Sequence, residues 1–294
     1  MPPQAKRLDR ADFRSPQLVE KKKRKRKQTL LILLFVVIFI LAAIATVLSL
    51  PSLRIQSVVV EGQKVIDKKE LEKFISGELS GKMFYLFPKD SIILYHNLHL
   101  SDDILGQFSR AEYAGLELTN RTTLKVTIRE RGGRYLWCGD DPTITIDSCY
   151  FVDSKGFIFS EAPYFSDNVY LKIYGTLATH KDGVIGSTIL PQDEFNKLVS
   201  FRDVLYSHDI PVVGLNLKSD GDYELLLAHA SDGIATAPVI YFNSKDDLST
   251  TLNNLLAALS NDPLKSDFKQ KYSTLLYLDA RYDNKIFFKF KQAQ

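Results

Sequence analysis

The chain has 294 residues, 45% apolar and 25% charged, which is ordinary globular composition at a length typical of about two domains. Its 11 Pro and 15 Gly exclude a collagen-like chain, and its apolar content excludes wholesale disorder. The net charge of +3 is unevenly spread: residues 1–28 contain 11 Lys/Arg and 3 Asp/Glu, whereas the rest contains 27 and 32. A basic N-terminal segment followed by an acidic remainder argues against a nucleic-acid-binding domain and indicates a membrane topology signal.

Residues 29–50 form an uncharged, apolar stretch that ends before Pro51. As a helix they would rise about 33 Å, enough to cross a hydrocarbon core of about 30 Å. Seven basic residues precede it: Lys21, Lys22, Lys23, Arg24, Lys25, Arg26 and Lys27. Because positive charges resist translocation, we expect a single-pass type II protein with its N-terminus inside and residues 51–294 outside. The basic tail, residues 1–28, is expected to be disordered.

Two other interpretations of this region were weighed. A cleaved signal peptide would use the small residues Ala43-Ile44-Ala45, but the apolar run is too long and continues to Leu50. A nuclear localisation or nucleic-acid patch at residues 21–27 is disfavoured because the patch abuts the apolar segment directly. A transmembrane helix is the preferred prediction.

Residues 53–131 read as a small domain. A β-branched strand is predicted at 53–60, followed by a helix with Asp67 as N-cap that ends at Gly81. The other predicted elements are a helix at 90–104 and strands at 108–118 and 123–129. This strand-helix-helix-strand-strand order predicts a small sheet with both helices on one face.

Residues 132–291 read as a second, mostly antiparallel β domain with two helices. The helices are predicted at 191–207 and 245–259. The strands are predicted at 134–138, 143–146, 149–152, 157–160, 168–174, 211–217, 222–228, 238–242, 275–280 and 285–290. The fold class is therefore α+β, with a single N-terminal transmembrane helix before two domains.

Four sequence stretches carry a resemblance to a known family: VVVEGQKVIDKKEL, TTLKVTIRERGGRYLW, CYFVDSKGFIFSEAP and TLLYLDARYDNKIFFKF. With the apolar span and the order of elements, they resemble the bacterial cell-division family FtsQ/DivIB. Residues 53–131 would then be its POTRA domain (β-α-α-β-β) and residues 132–291 its β domain. The chain departs from the family pattern at Thr119-Asn120-Arg121 and at Ala280.

The resemblance implies a non-enzymatic scaffold of the divisome in the cytoplasmic membrane at the division septum. Such a scaffold binds FtsB/DivIC-like and FtsL-like bitopic membrane proteins and links them to septal cell-wall synthesis. It implies partner binding by strand addition beside the last strand, residues 285–290. No catalytic residue, metal, cofactor, nucleic acid or small-molecule substrate is expected.

The last strand has its own physical chemistry. Ile286, Phe288 and Phe290 should share one face, and Lys285, Phe287, Lys289 and Lys291 the other. One interpretation is a lysine-guarded edge with three core residues. The other, which we prefer, is an open edge that accepts a partner strand, with Phe287 as an exposed anchor between lysines that favour an acidic partner. Tyr282 and Asn284, in the preceding turn, are assigned to the same partner-binding set.

Two acid–base pairs invite a functional interpretation. Asp279 and Arg281 are expected to share a face and stabilise the turn before the last strand. Glu130 and Arg131 are expected to make contacts at the domain junction, with a role in recruitment as the alternative.

Cys138 and Cys149 are the two cysteines, and both lie on the outer side of the predicted span. Neighbouring strands can bring them within disulfide distance, and an oxidising compartment would favour the bond, so we predict a disulfide between Cys138 and Cys149. Two buried free thiols are the alternative.

Two other functions remain open. His96 and His99 are weak metal candidates, and no HExxH, G-x-S-x-G or Walker motif occurs. An envelope enzyme would need a Ser or Asp near one of the histidines. A client-binding POTRA chaperone would instead use the strand at residues 54–60 as its working edge.

Overall fold

The computed structural model describes residues 16–95, 98–144, 148–165, 168–181, 183–229 and 237–291. It is an α+β protein with one long apolar N-terminal helix and a large mixed sheet. The α-helices in these residues are α1 (Pro16–Leu48), α2 (Lys68–Leu79), α3 (Leu100–Gln107), α4 (Gln192–Ser207), α5 (Leu248–Ser260) and α6 (Leu264–Gln270). The strands are β1 (Ser57–Glu61), β2 (Lys82–Met83), β3 (Phe87–Pro88), β4 (Ala111–Thr119), β5 (Thr123–Glu130), β6 (Tyr135–Trp137), β7 (Tyr150–Val152), β8 (Ile158–Glu161), β9 (Leu171–Gly175), β10 (Thr179–Lys181), β11 (Gly183–Thr188), β12 (Val212–Leu217), β13 (Asp222–Leu227), β14 (Val239–Asn243), β15 (Leu275–Tyr282) and β16 (Lys285–Phe290).

Helix α1 is continuous from Pro16, through the basic residues, to Leu48. The expected disorder of the tail is therefore wrong from Pro16 onwards, because Lys, Arg, Gln and Glu are good helix formers and extend the apolar helix. Its Glu20–Leu48 part is long enough to cross a membrane and contains an 18-residue stretch with a mean hydropathy of 3.3. After Leu48 a short 3-10 helix, Pro51–Leu53, leads to β1.

The described chain forms two compact units. One contains the described residues up to Glu61 together with Asp67–Ser101 and Gly115–Thr127. The other, called the larger unit below, contains Gly62–Ile66, Asp102–Ala114 and the described residues from Ile128 onwards. The domain boundary anticipated at residues 131–132 stays a prediction.

The smaller sheet has the order β1-β5-β4, with β1 parallel to β5. Helix α2 packs against β1, and the Asp67 side chain caps it by accepting from the Glu70 amide at 2.9 Å, as expected. The predicted helix at 90–104 is wrong in its first half: Ser91–Tyr95 forms a turn, with the Tyr95 amide donating to the Ser91 carbonyl, and α3 begins only at Leu100. Strand β1 starts at Ser57 and not at residue 53: the 3-10 helix takes up Leu53, and Arg54 forms only an isolated β-bridge with Ser91.

Among the described residues, the larger sheet has nine strands in the order β16-β15-β14-β13-β12-β9-β6-β7-β8. Strands β14/β15, β9/β12 and β6/β9 pair in parallel and the other neighbours are antiparallel, so the sheet is mixed but mostly antiparallel. One face forms the main core with residues of α4, α5 and α6, including Phe195, Leu198, Leu255 and Phe268.

Three details of this region differ from the sequence-based predictions. Thr143 and Ile144 form a turn in place of the start of a strand, because the Asp141 carboxylate accepts from the Thr143 amide and hydroxyl; residues 145–147 lie outside the described chain. The β10–β11 hairpin was not predicted. Helix α6 was not predicted either, because its seven residues are too few to display a helical period.

Candidate partner-binding edge

Strand β16 is the terminal strand of the nine-stranded sheet. It pairs antiparallel with β15, and within the described residues no strand pairs with its other side. The free edge of a terminal strand presents unpaired backbone amides and carbonyls, which is the geometry that strand addition requires.

The register of β16 assigns its side chains to two faces. Phe287 lies opposite Asp279, and Lys289 opposite Tyr277, so these four side chains share one face. Phe288 lies opposite the fully buried Leu278 on the core side, yet it is 36% exposed.

The interpretation of all three apolar residues as core is therefore too simple. Ile286 and Phe290 pack against the main core, whereas Phe288 is at its rim because α5 covers the edge strand only in part. Phe287, on the opposite face, is 51% exposed. Apolar surface is thus available on both faces of the same edge.

The turn before β16 adds to this exposed surface. The Tyr282 ring contacts the Phe287 ring edge-on, with 5.2 Å between centroids. Asn284 adopts a positive φ of 42°, which asparagine tolerates, and its side-chain oxygen accepts from Asn254 of α5 at 3.4 Å. Lys285 and Lys289 flank Phe287, and neither forms an ion pair within the described residues. The surface formed by Tyr282 and Asn284–Phe290 is called the β16 edge below.

Beside this edge lies an ion-pair cluster. Arg281 donates through Nη2 to Asp279 at 2.6 Å, and through Nη1 to Asp222 on β13 at 2.6 Å. Burial raises the pKa of Asp279, but the hydrogen bonds from Arg281 outweigh it, so the net pKa is lowered. The Arg281 hydrogen bond likewise lowers the pKa of Asp222. The cluster holds both aspartates ionised and stiffens the strands behind the edge.

Glu130 and Arg131 make structural contacts within the larger unit. Glu130 Oε1 accepts from three successive backbone amides, those of Lys64, Val65 and Ile66, at 2.5, 2.8 and 3.0 Å. Arg131 pairs with Asp153 at 2.6 Å. These contacts use both side chains to hold backbone and turn geometry.

Cys138 and Cys149 are joined by a disulfide bond, with 4.4 Å between their Cα atoms. The bond connects the residue after β6 to the residue before β7, and Cys138 is buried beside Leu136 and Ala162. It closes the connection between these two strands covalently.

The remaining candidates lie elsewhere. The basic residues 21–27 are exposed on α1. His96 lies outside the described residues, and no group of three metal-ligating side chains occurs among those described. Ser207 Oγ lies 3.3 Å from His208 Nδ1, but both atoms are also within hydrogen-bond distance of the Val204 carbonyl at the end of α4, an arrangement typical of a helix terminus. Strand β1, the alternative working edge, is a terminal strand of the smaller sheet.

Comparison with known proteins adds no relative: no protein-family model matches the sequence, and no curated protein matches it. The β16 edge is therefore interpreted from its own geometry and chemistry.

Proposed function

We propose that this chain is a bitopic membrane scaffold of the bacterial divisome, of the FtsQ/DivIB type. In this proposal α1 anchors it in the cytoplasmic membrane with the N-terminus inside, and the β1-β5-β4 sheet with α2 and α3 is its POTRA domain. The outer domains bind FtsB/DivIC-like and FtsL-like membrane proteins at the division septum and so connect to cell-wall synthesis.

The observation that carries the proposal is the β16 edge. A terminal strand offers main-chain hydrogen bonds to an incoming strand, and side chains on alternate positions then supply specificity. Phe287 and Phe288 would anchor the two faces of that strand, because large exposed aromatic side chains dominate binding when a partner buries them.

The charges of the edge define the partner's chemistry. Lys285 and Lys289 form no ion pair within the described residues, so an extended partner segment with Asp or Glu on the same face would complement them. Rim charges of this kind raise association rates more than they raise affinity, and their effect weakens with salt.

The test is co-purification of the tagged full chain from membranes that also contain the FtsB/DivIC-like and FtsL-like proteins of its own organism. Phe287→Asp should lose the partners, because it places a desolvated charge in the interface. Ile185→Asp is the matched control: Ile185 is 43% exposed on β11, so it introduces the same charge at another half-exposed apolar strand position.

Loss of the partners in Phe287→Asp alone, with unchanged thermal unfolding, supports the proposal. Retention by both variants overturns the assignment of the edge. If the unmodified chain retains neither partner, the divisome function itself is wrong. Reporter fusions to the two termini test the orientation separately, with the C-terminal reporter expected outside.

A further inference from the structure

The short hairpin formed by β2 and β3, Lys82–Pro88, exposes an unusual amount of apolar surface. Lys82 pairs with Pro88 and Met83 with Phe87, which leaves a three-residue loop. Its side chains are largely in solvent: Phe84 is 77% exposed, Tyr85 95% and Leu86 47%. Single exposed apolar residues are common, but three in succession on a protruding loop mark a surface that contacts a membrane or another molecule.

The backbone of this hairpin, Lys82–Pro88, which is called the aromatic hairpin below, gives a second indication that its exposed side chains have a function. Phe84 has a φ of 51° and Tyr85 a φ of 62°, in the left-handed region that favours glycine and asparagine. The loop therefore holds two large rings at positions where small residues would serve the turn better. A strained conformation that is retained at an exposed site suggests a function for the side chains it displays.

The location of the aromatic hairpin identifies what covers it. The C-terminal end of α1 packs against β3, and Leu48, the last residue of α1, is 7% exposed. The segment after the hairpin is bound to the segment after α1, because the Ile55 amide donates to the Asp90 carbonyl at 2.8 Å. An ion pair between Arg54 and Asp90, at 2.7 Å, supports the same contact. The aromatic hairpin is thus attached to the chain where the apolar helix ends.

We infer that the aromatic hairpin inserts into the interfacial layer of the membrane that α1 crosses. This inference rests on the membrane anchoring in the proposed function. Aromatic rings favour the headgroup level of a bilayer, where an apolar body meets a polar tip, as in Tyr85. Lys82 and Lys89 flank the rings, and lysines at this level reach phosphate groups. The hairpin would give the unit that contains both it and α1 a second attachment to the lipid.

The experiment uses the full chain in lipid nanodiscs of phosphatidylcholine and phosphatidylglycerol. Tyr85→Trp introduces a reporter at the most exposed ring, and the unmodified chain, whose single tryptophan Trp137 is buried, provides the background. Lys69→Trp is the matched control, since Lys69 is exposed near the start of α2, about 15 Å along the helix from its end at Leu79. Phe39→Trp, within the apolar helix, reports on insertion of α1.

Lipids brominated at shallow or deep acyl positions then quench each reporter according to its depth. The expected result is a blue-shifted emission from Trp at position 85 that shallow bromines quench more than deep ones, with no added quenching at position 69. A solvent-like, unquenched reporter at position 85, while position 39 is quenched by deep bromines, overturns the inference and leaves the anchor intact. If position 39 is not quenched either, the membrane anchoring fails and the inference fails with it.

Discussion

The Nη1 atom of Arg281 on β15 lies 2.6 Å from Oδ2 of Asp222 on β13, although β14 separates the two strands. The same guanidinium binds Asp279 on its own strand, so a single side chain connects β15 to β13 next to the β16 edge. The guanidinium also lies over the Tyr241 ring of the intervening strand, 5.1 Å from its centroid. The three strands beside the β16 edge are therefore linked through the contacts of Arg281.

Removal of this guanidinium should destabilise the larger unit. Arg281→Met keeps most of the apolar stem but leaves Asp279, which is 7% exposed, without its counter-charge. We expect the free energy of unfolding to fall by about 2–3 kcal/mol. The value lies at or below the usual cost of removing one partner of a buried ion pair, because the Arg281 side chain is 32% exposed. Urea unfolding followed by Trp137 fluorescence measures it. Lys285→Met, which removes an exposed cation that forms no ion pair with any described residue, should leave the midpoint unchanged, and a similar loss in both variants would contradict the prediction.

The same cluster predicts an acid dependence. The folded-state pKa of Asp222 is lowered, mainly by its hydrogen bond from Arg281, below its ordinary value of 3.8. A lowered folded-state pKa contributes stability that is present above the unfolded-state value and lost as the pH falls through the folded-state value. Between pH 5 and about pH 3 the urea midpoint should therefore fall more steeply in the unmodified chain than in Asp222→Asn. Asp246→Asn, with the same charge change outside the cluster, should follow the unmodified chain; equal slopes in all three would contradict the assignment.

Reduction of the disulfide should weaken the larger unit. Cys138 and Cys149 are 11 residues apart in sequence, and closing a loop of this size removes conformational entropy from the unfolded chain. We expect Cys138→Ser/Cys149→Ser to lower the free energy of unfolding by about 2–3 kcal/mol. Dithiothreitol should lower the urea midpoint of the unmodified chain and leave that of the double variant unchanged. An unmodified chain that unfolds at the same urea concentration with and without reductant would exclude a stabilising bond.

Glu130 should act through its acceptor oxygen. Glu130→Ala removes the acceptor of the Lys64, Val65 and Ile66 amides and should cost about 1–2 kcal/mol, because these partly exposed amides can turn to water. Glu130→Gln keeps one acceptor and should cost less. The role in recruitment predicts instead that both variants fold with unchanged stability but lose partners in the co-purification assay.

Substitutions in the aromatic hairpin that stabilise the fold should weaken its contact with the membrane. Phe84→Asn/Tyr85→Gly installs residues that tolerate the positive φ angles, so we expect a gain of about 1–2 kcal/mol in detergent. With Leu86→Trp as the reporter, shallow brominated lipid should quench the emission less in the double variant than in the chain that keeps Phe84 and Tyr85. Unchanged quenching would show that the two rings do not carry the lipid contact.

Much of the local structure was predictable because its signals lie within a few residues of one another. The Asp67 cap and the apolar face of α2 follow from their spacing. Strand β16 has the predicted bounds, since its turn residues precede the run KIFFKF, which is rich in β-forming residues. Helix α6 and the β10–β11 hairpin were missed because such short elements depend on packing more than on periodicity.

By itself, the sequence determined where an apolar helix of membrane-spanning length lies and which residues alternate on the final strand, because composition and period are local properties. Only the tertiary structure showed that β16 is a terminal strand, since the order of nine strands depends on pairings between distant residues. It also brought Asp222 to Arg281, 59 residues away, and the aromatic hairpin to the end of α1. Local propensity does not encode such contacts, because they form when the chain buries its apolar surface and pairs its backbone across long separations.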